Sequence, residues 1–270
     1  MRREDELTKH SLEFAVNGYK NNILDWLSLT IKCFEEHGFP LKSVSYDIDY
    51  NRYERKSLKT FYKKINEDIS YPTDKLYSFS VFSGVTQKYP DTWYYGCFYD
   101  EPWQELNLFF DTSFPEKDVL AFYKNYLQVL LNNCTAWTGY SYDLPCNNAY
   151  EYGNAFDIHY NTRYKEFGGN WGHATRGVYN HLGHSVGRAT YEEAVPPGNK
   201  YRHIYKQNLL SKAHMEEKFG KMLLPEWVEK NNYGIIEKIG MENWLWIIPE
   251  DKLYELQVIF YDKGLLIGVE

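Results

Sequence analysis

The chain has 270 residues and a net charge of −7, with 30 basic against 37 acidic side chains. Apolar residues make up 43% and charged residues 25%, a globular balance that excludes a disordered chain, a collagen-like chain and a disulfide-stapled miniprotein, and leaves ample length for a core. The acidic balance argues against binding nucleic acid through bulk positive charge, although a local basic patch is compatible with it.

From the N-terminus, Met1-Arg2-Arg3 is followed at once by acids and no apolar stretch, so no secretory leader is expected. No run approaches the roughly eighteen apolar residues of a membrane span. Asn21-Asn22 precedes a helix with apolar positions Ile23, Leu24, Trp26, Leu27, Ile31 and Phe34, ended by Gly38 and Pro40. A strand is expected from Val44 to Tyr50, then a short helix capped by Ser57 with Leu58, Phe61, Tyr62 and Ile65 inward. Three aromatic-rich strands follow, Leu76 to Phe82, Trp93 to Tyr99 and Glu105 to Phe110. Pro115, with Glu116 and Asp118 in its first turn, opens a helix whose buried face runs from Val119 to Leu131. A strand from Trp137 to Leu144 comes next.

Residues 145 to about 207 show little periodicity. Beyond them, Ser211 caps a helix, Leu223 to Lys230 forms another, and two strands end the chain, Trp244 to Ile248 and Leu256 to Tyr261, with Gly264 to Ile267 behind. Ile23 to Trp26 is echoed by Val119 to Phe122, and Ser45 to Ile48 by Ser141 to Leu144, each 96 residues on. The expected fold is therefore α+β: a largely antiparallel, aromatic-rich sheet with helices on one face. One compact unit is expected; the echo is either a coincidence of two short matches or the mark of pseudo-repeat halves at 12–112 and 113–270.

Cys33, Cys97, Cys134 and Cys146 have no CxxC spacing and read as reduced core residues of a cytoplasmic protein. No phosphate-binding glycine loop or nucleophile elbow is present. The stretch from Phe167 to Arg188 is the most function-like. It holds His173, His181 and His184, which could ligate a metal in a hydrolase reading, with His159 and His203 able to complete a set. The same stretch supplies Trp171, Arg176, Tyr179 and Arg188 as candidate partner contacts, and Arg202 and Tyr205 could project into the same surface. Arg202 and Tyr205 could equally pin the turn at Asn208 to the sheet.

Leu106 to Phe110, the acid-opened helix to Tyr126 and Tyr150-Glu151-Tyr152-Gly153 are followed by Arg202-x-x-Tyr205-x-x-Asn208-x-Leu210 with His214. Glu226-Trp227, Gly234, Trp244 to Pro249 and Gly264 to Ile267 complete the order. Over roughly residues 105–268 it resembles small bacterial α+β proteins encoded beside polymorphic or type VI secreted toxins, the immunity protein fifty-two group. The histidine-rich loop has no place in that pattern. The resemblance implies binding without chemistry: no catalytic residues, no cofactor, and a cognate, cytosol-acting toxin as partner. The acidic charge and the 26 tyrosines suit occlusion of a basic cleft. Two other readings stand beside it, the metal-assisted hydrolase and a phage-defence or anti-defence interaction protein. No membrane or direct nucleic-acid partner is expected.

Overall fold

Apolar residues two apart in a strand share a face, so a strand apolar at every position must be buried on both sides. Strands with apolar residues on one face and strands buried on both occur in the computed structural model of the chain, which describes residues 8–17, 23–48, 52–67, 76–84, 94–100, 105–145, 201 and 204–265. The strands are β1 (Thr8–Asn17), β2 (Ser43–Ile48), β3 (Arg52–Ser57), β4 (Leu76–Phe82), β5 (Tyr95–Asp100), β6 (Glu105–Asp111), β7 (Thr135–Pro145), β8 (Gln207–Leu210), β9 (Lys218–Phe219), β10 (Met222–Leu223), β11 (Ile235–Ile239) and β12 (Asn243–Ile247). The α-helices are α1 (Ile23–Glu36), α2 (Leu58–Glu67), α3 (Glu116–Leu130), α4 (Lys212–Met215), α5 (Leu224–Asn231) and α6 (Leu253–Asp262).

Ten strands form one sheet in the order β11-β12-β8-β7-β1-β6-β5-β4-β2-β3. Its pairings are antiparallel throughout, and β9 and β10 form a separate small hairpin. The α+β expectation therefore holds. β1 lies mid-sheet, with Leu12 opposite Leu108 of β6 on one side and Ser141 of β7 on the other. The N-terminal strand thus joins the two segments that sequence treats as halves. The echoed motifs fall in like elements, α1 with α3 and β2 with β7.

One face carries α1, α2 and α3. The helical spacing of Ile23, Trp26, Leu27, Thr30, Ile31 and Phe34 turns one side of α1 inward. Val119, Phe122, Tyr123, Tyr126, Leu127 and Leu130 do the same for α3. The helices are locked by a polar knot: Trp26 Nε1 donates to the Tyr126 hydroxyl at 3.0 Å, and Thr30 Oγ1 lies 2.8 Å from it. Burial pushes the Tyr126 phenol well up, and the adjacent Cys97 thiol with it, so both stay neutral. Trp26 stacks on Tyr99 of β5 at 4.2 Å, fixing α1 to the sheet.

Among the described residues the other face carries helices at one end, α5 and α6. In β8 and β12, Leu209 and Leu245 join the α1–α3 core, while Leu210 and Trp246 join a second core with Trp227, Leu256 and Phe260. The expectation of helices on one face thus describes α1–α3, and the C-terminal helices add a second layer because β8 and β12 are apolar on both sides. Leu256 to Tyr261, expected as a strand, is helical in α6. Its inward residues Leu253, Leu256, Gln257 and Phe260 follow helical spacing, which outweighs the strand propensity of the Val258-Ile259-Phe260-Tyr261 run.

Candidate binding end of the sheet

Trp171, Arg176, Tyr179, Arg188 and Arg202, and the histidines His159, His173, His181, His184 and His203, lie outside the described residues. Tyr205 is described and is buried. Its ring stacks on Tyr140 of β7 at 4.5 Å. Its N–H donates to Asn208 Oδ1 at 3.1 Å, and Asn208 Nδ2 donates back to the Tyr205 carbonyl at 2.7 Å. The asparagine therefore closes the turn that launches β8, a use of its short amide that the sequence signals.

The described groups with chemical potential are committed to structure. Ser211 caps α4. Its N–H donates to His214 Nδ1 at 3.1 Å, and its hydroxyl lies 2.8 Å from the same nitrogen. An Nδ1 that accepts from a backbone amide carries no proton, so the ring proton sits on Nε2 and this Ser–His pair acts as a cap. His214 is buried with Tyr201 packed edge-on at 4.5 Å. The Tyr201 phenol is pushed well up by burial and by the Glu217 charge. The Cys33, Cys97 and Cys134 thiols are free and buried. Burial raises that of Cys134 to about 12, and burial with the Glu36 charge raises that of Cys33. Raised thiols are poor nucleophiles. Among the described residues no group of three or more His, Cys, Asp or Glu side chains could hold a metal, and no helix is long and apolar enough to cross a membrane.

What distinguishes one region from another is the pair of sheet ends. At one end lies β3, and residues 52–64 of β3 and α2 carry six basic side chains against the single acid Glu54. That acid gathers its neighbours. Tyr46 donates to Glu54 Oε2 at 2.8 Å, and Lys56 and Lys64 approach the same oxygen at 3.1 and 3.3 Å. Burial alone would raise the carboxyl, but these three hydrogen bonds outweigh it and hold Glu54 at about 2. Arg55 turns to the opposite face, where Nε donates to Ser45 Oγ at 3.0 Å and the guanidinium lies 5.6 Å from the centre of the Phe82 ring. Much of the basic charge is thus engaged locally.

At the other end lies β11, Ile235-Ile236-Glu237-Lys238-Ile239, between Gly234 and Gly240. Both glycines have positive φ, and a Cβ on either would strike backbone, Ile247 at Gly234 and Leu131 at Gly240. The close fit at Gly240 lets the hairpin tip cap α3: Met241 N–H donates to the Leu131 carbonyl at 3.1 Å. Glu237 points to the helix face of the sheet, where Lys124 of α3 holds it at 2.6 Å. Ile235 is 61% exposed, Met241 at the hairpin tip 64% and Tyr254 of α6 47%. From 226 to 262 there are eight carboxylates against three lysines. Glu226, Glu229, Glu242, Glu250, Asp251, Glu255 and Asp262 are all exposed. Glu255 also accepts from the Tyr233 hydroxyl at 2.7 Å, and burial together with that carboxylate pushes the phenol to about 12.

Sequence reasoning did not find β11. Its signal was present, three β-branched residues bracketed by glycines, but two charges inside a five-residue run masked it. The expected contacts and the β11 end occupy different parts of the chain.

No family model matches the chain, and no curated protein matches it. Among solved structures, it is similar to the Pseudomonas aeruginosa T6SS protein PA0821, with 10% sequence identity and a TM-score of 0.48, over 97% of this chain and 73% of that one.

Proposed function

We propose that the chain is a non-enzymatic, cytosolic immunity-type protein that binds and occludes a basic protein toxin of the type VI or polymorphic kind. The observation that carries this reading is the β11 end of the sheet. Apolar side chains are exposed at Ile235, Met241 and Tyr254, in a segment with seven exposed carboxylates. Such a surface meets a basic partner in two stages. The carboxylates raise the encounter rate, and burial of the apolar anchors slows release. The motif order around Arg202-x-x-Tyr205-x-x-Asn208 and Trp244 to Pro249 supports the immunity setting by resemblance. Trp171, Arg176, Tyr179, Arg188 and Arg202 form a second proposed contact set.

The test is affinity capture of the tagged chain from its native cell, with mass spectrometry and co-expression of what is captured. One stoichiometric basic protein, toxic alone and harmless when co-expressed with this chain, is the expected result. Capture that yields no stoichiometric partner overturns the reading.

A further inference from the structure

We infer that the outer edge of β11 takes an extended, basic segment of a protein partner as an eleventh strand of the sheet. This rests on the occlusion reading above and adds the mode of binding. β11 is the terminal strand, and among the described residues no strand pairs with its outer side. An open edge offers a row of backbone N–H and C=O groups to an incoming strand, and folded proteins ordinarily blunt such edges with charge.

The two ends of this sheet treat that hazard differently. β3 reads Arg-Tyr-Glu-Arg-Lys-Ser, four charges in six residues and no aliphatic side chain. β11 has three isoleucines in five residues. Of its two charges, Glu237 is drawn onto α3 by Lys124, which leaves Lys238 exposed on the other face. Ile235 at the start of the strand and Met241 just past its end are exposed, so apolar side chains mark both limits of the edge. The strand is held firmly from behind, because β12 pairs with it over its full length and buries Leu245 and Trp246. Docking there costs little ordering of the protein itself.

Charge selects the occupant. The exposed carboxylates of α5, α6 and the hairpin tip favour a lysine- or arginine-rich strand and repel an acidic one. A second copy fits less well. The basic end that would complement β11 has Lys56 and Lys64 on Glu54, and Arg55 on Ser45 and Phe82. Joining β11 of one copy to β3 of the next would also give an open filament.

The experiment uses the full chain and a defined probe, an acetylated heptapeptide of alternating lysine and valine. Amide hydrogen exchange is followed residue by residue with and without the peptide. An alternating glutamate and valine peptide serves as control. The expected result is about tenfold slower exchange within residues 235–239 with the basic peptide. The acidic peptide has no effect, and the slowing is lost in the Ile235→Lys, Met241→Lys variant, whose exposed substitutions leave melting unchanged. Slowing nowhere, slowing centred on residues 52–57, or an equal effect of the acidic peptide overturns the inference. So does concentration-dependent association of the pure protein through β11, which would assign the edge to a second copy. A toxin captured equally well by wild type and by the double variant overturns the edge mode and leaves occlusion standing. Capture of no toxin, with exchange slowed by the peptide as expected, overturns occlusion and leaves the edge mode standing.

Discussion

The ends of the ten-stranded sheet are built from opposite materials. β3 is polar and charged, with its acid Glu54 tied to Tyr46, Lys56 and Lys64. β11 is aliphatic, with Ile235 open to solvent and carboxylates on the neighbouring helices and hairpin tip. Where the charges lie decides how well an edge is blunted. At β3 they stay on and beside the strand, where an incoming strand would have to desolvate them. At β11 the acid is pulled onto a helix, and the exposed carboxylates lie on the segments around the strand, some of them paired, as Glu250 is with Lys206 and Asp251 with Lys252.

The largest loss is expected when the support behind β11 is removed. Trp246 is fully buried between β12 and α6. Its indole donates to the Tyr233 carbonyl at 2.9 Å, next to the turn that starts β11. Trp246→Ala is expected to cost about 3–5 kcal/mol in urea unfolding and to raise exchange throughout residues 235–247. A loss below about 1 kcal/mol would show that the second core does not carry this end.

At the opposite edge, Glu54→Gln removes the charge that organises β3 and α2, with an expected loss of about 1–3 kcal/mol. The pH dependence has a definite sign. Glu54 is held at about 2, below the usual carboxylate range, so its contribution is complete above that range and declines as pH falls through it toward about 2. Wild type should lose stability over that window more steeply than Glu54→Gln. Parallel curves would show that the Tyr46, Lys56 and Lys64 contacts do not persist in solution.

Two further substitutions have smaller effects. Ser211→Ala removes one side of the Ser211–His214 cap and should cost about 1 kcal/mol, read as a shift in the urea midpoint. Lys124→Met frees Glu237 from α3, with at most about 0.5 kcal/mol lost. Even that difference should vanish in high salt. The freed carboxylate should then strengthen binding of the alternating lysine peptide, and unchanged affinity would count against the role given to Lys124.

Much of the architecture was legible where one periodicity dominates. Leu76 to Phe82 is a strand as read, and Pro115 with its acidic first turn opens α3 as read. Ser57 accepts the Thr60 N–H at 3.2 Å at the start of α2, as its capping position implies. Legibility failed where signals compete. The aliphatic and aromatic end of α6 imitates a strand, and the charges of β3 and β11 hide strands that are real. The candidate site was less legible still, because exposure at Ile235 and Met241 depends on which strand ends the sheet.

By itself the sequence determined the elements with a single strong period, the reduced and buried character of Cys33, Cys97 and Cys134, and the α+β class. These follow from side-chain spacing and polarity within short windows, which act before distant segments meet. Only the tertiary structure decided that β1 pairs with both β6 and β7, that β8 and β12 bury both faces, and that β3 and β11 are the two ends. Those choices depend on pairing between segments more than one hundred residues apart, such as Thr8 of β1 with Pro145 of β7. Long-range pairing fixes which strands of the described residues pair on one side alone, which side-chain spacing within a short window does not encode.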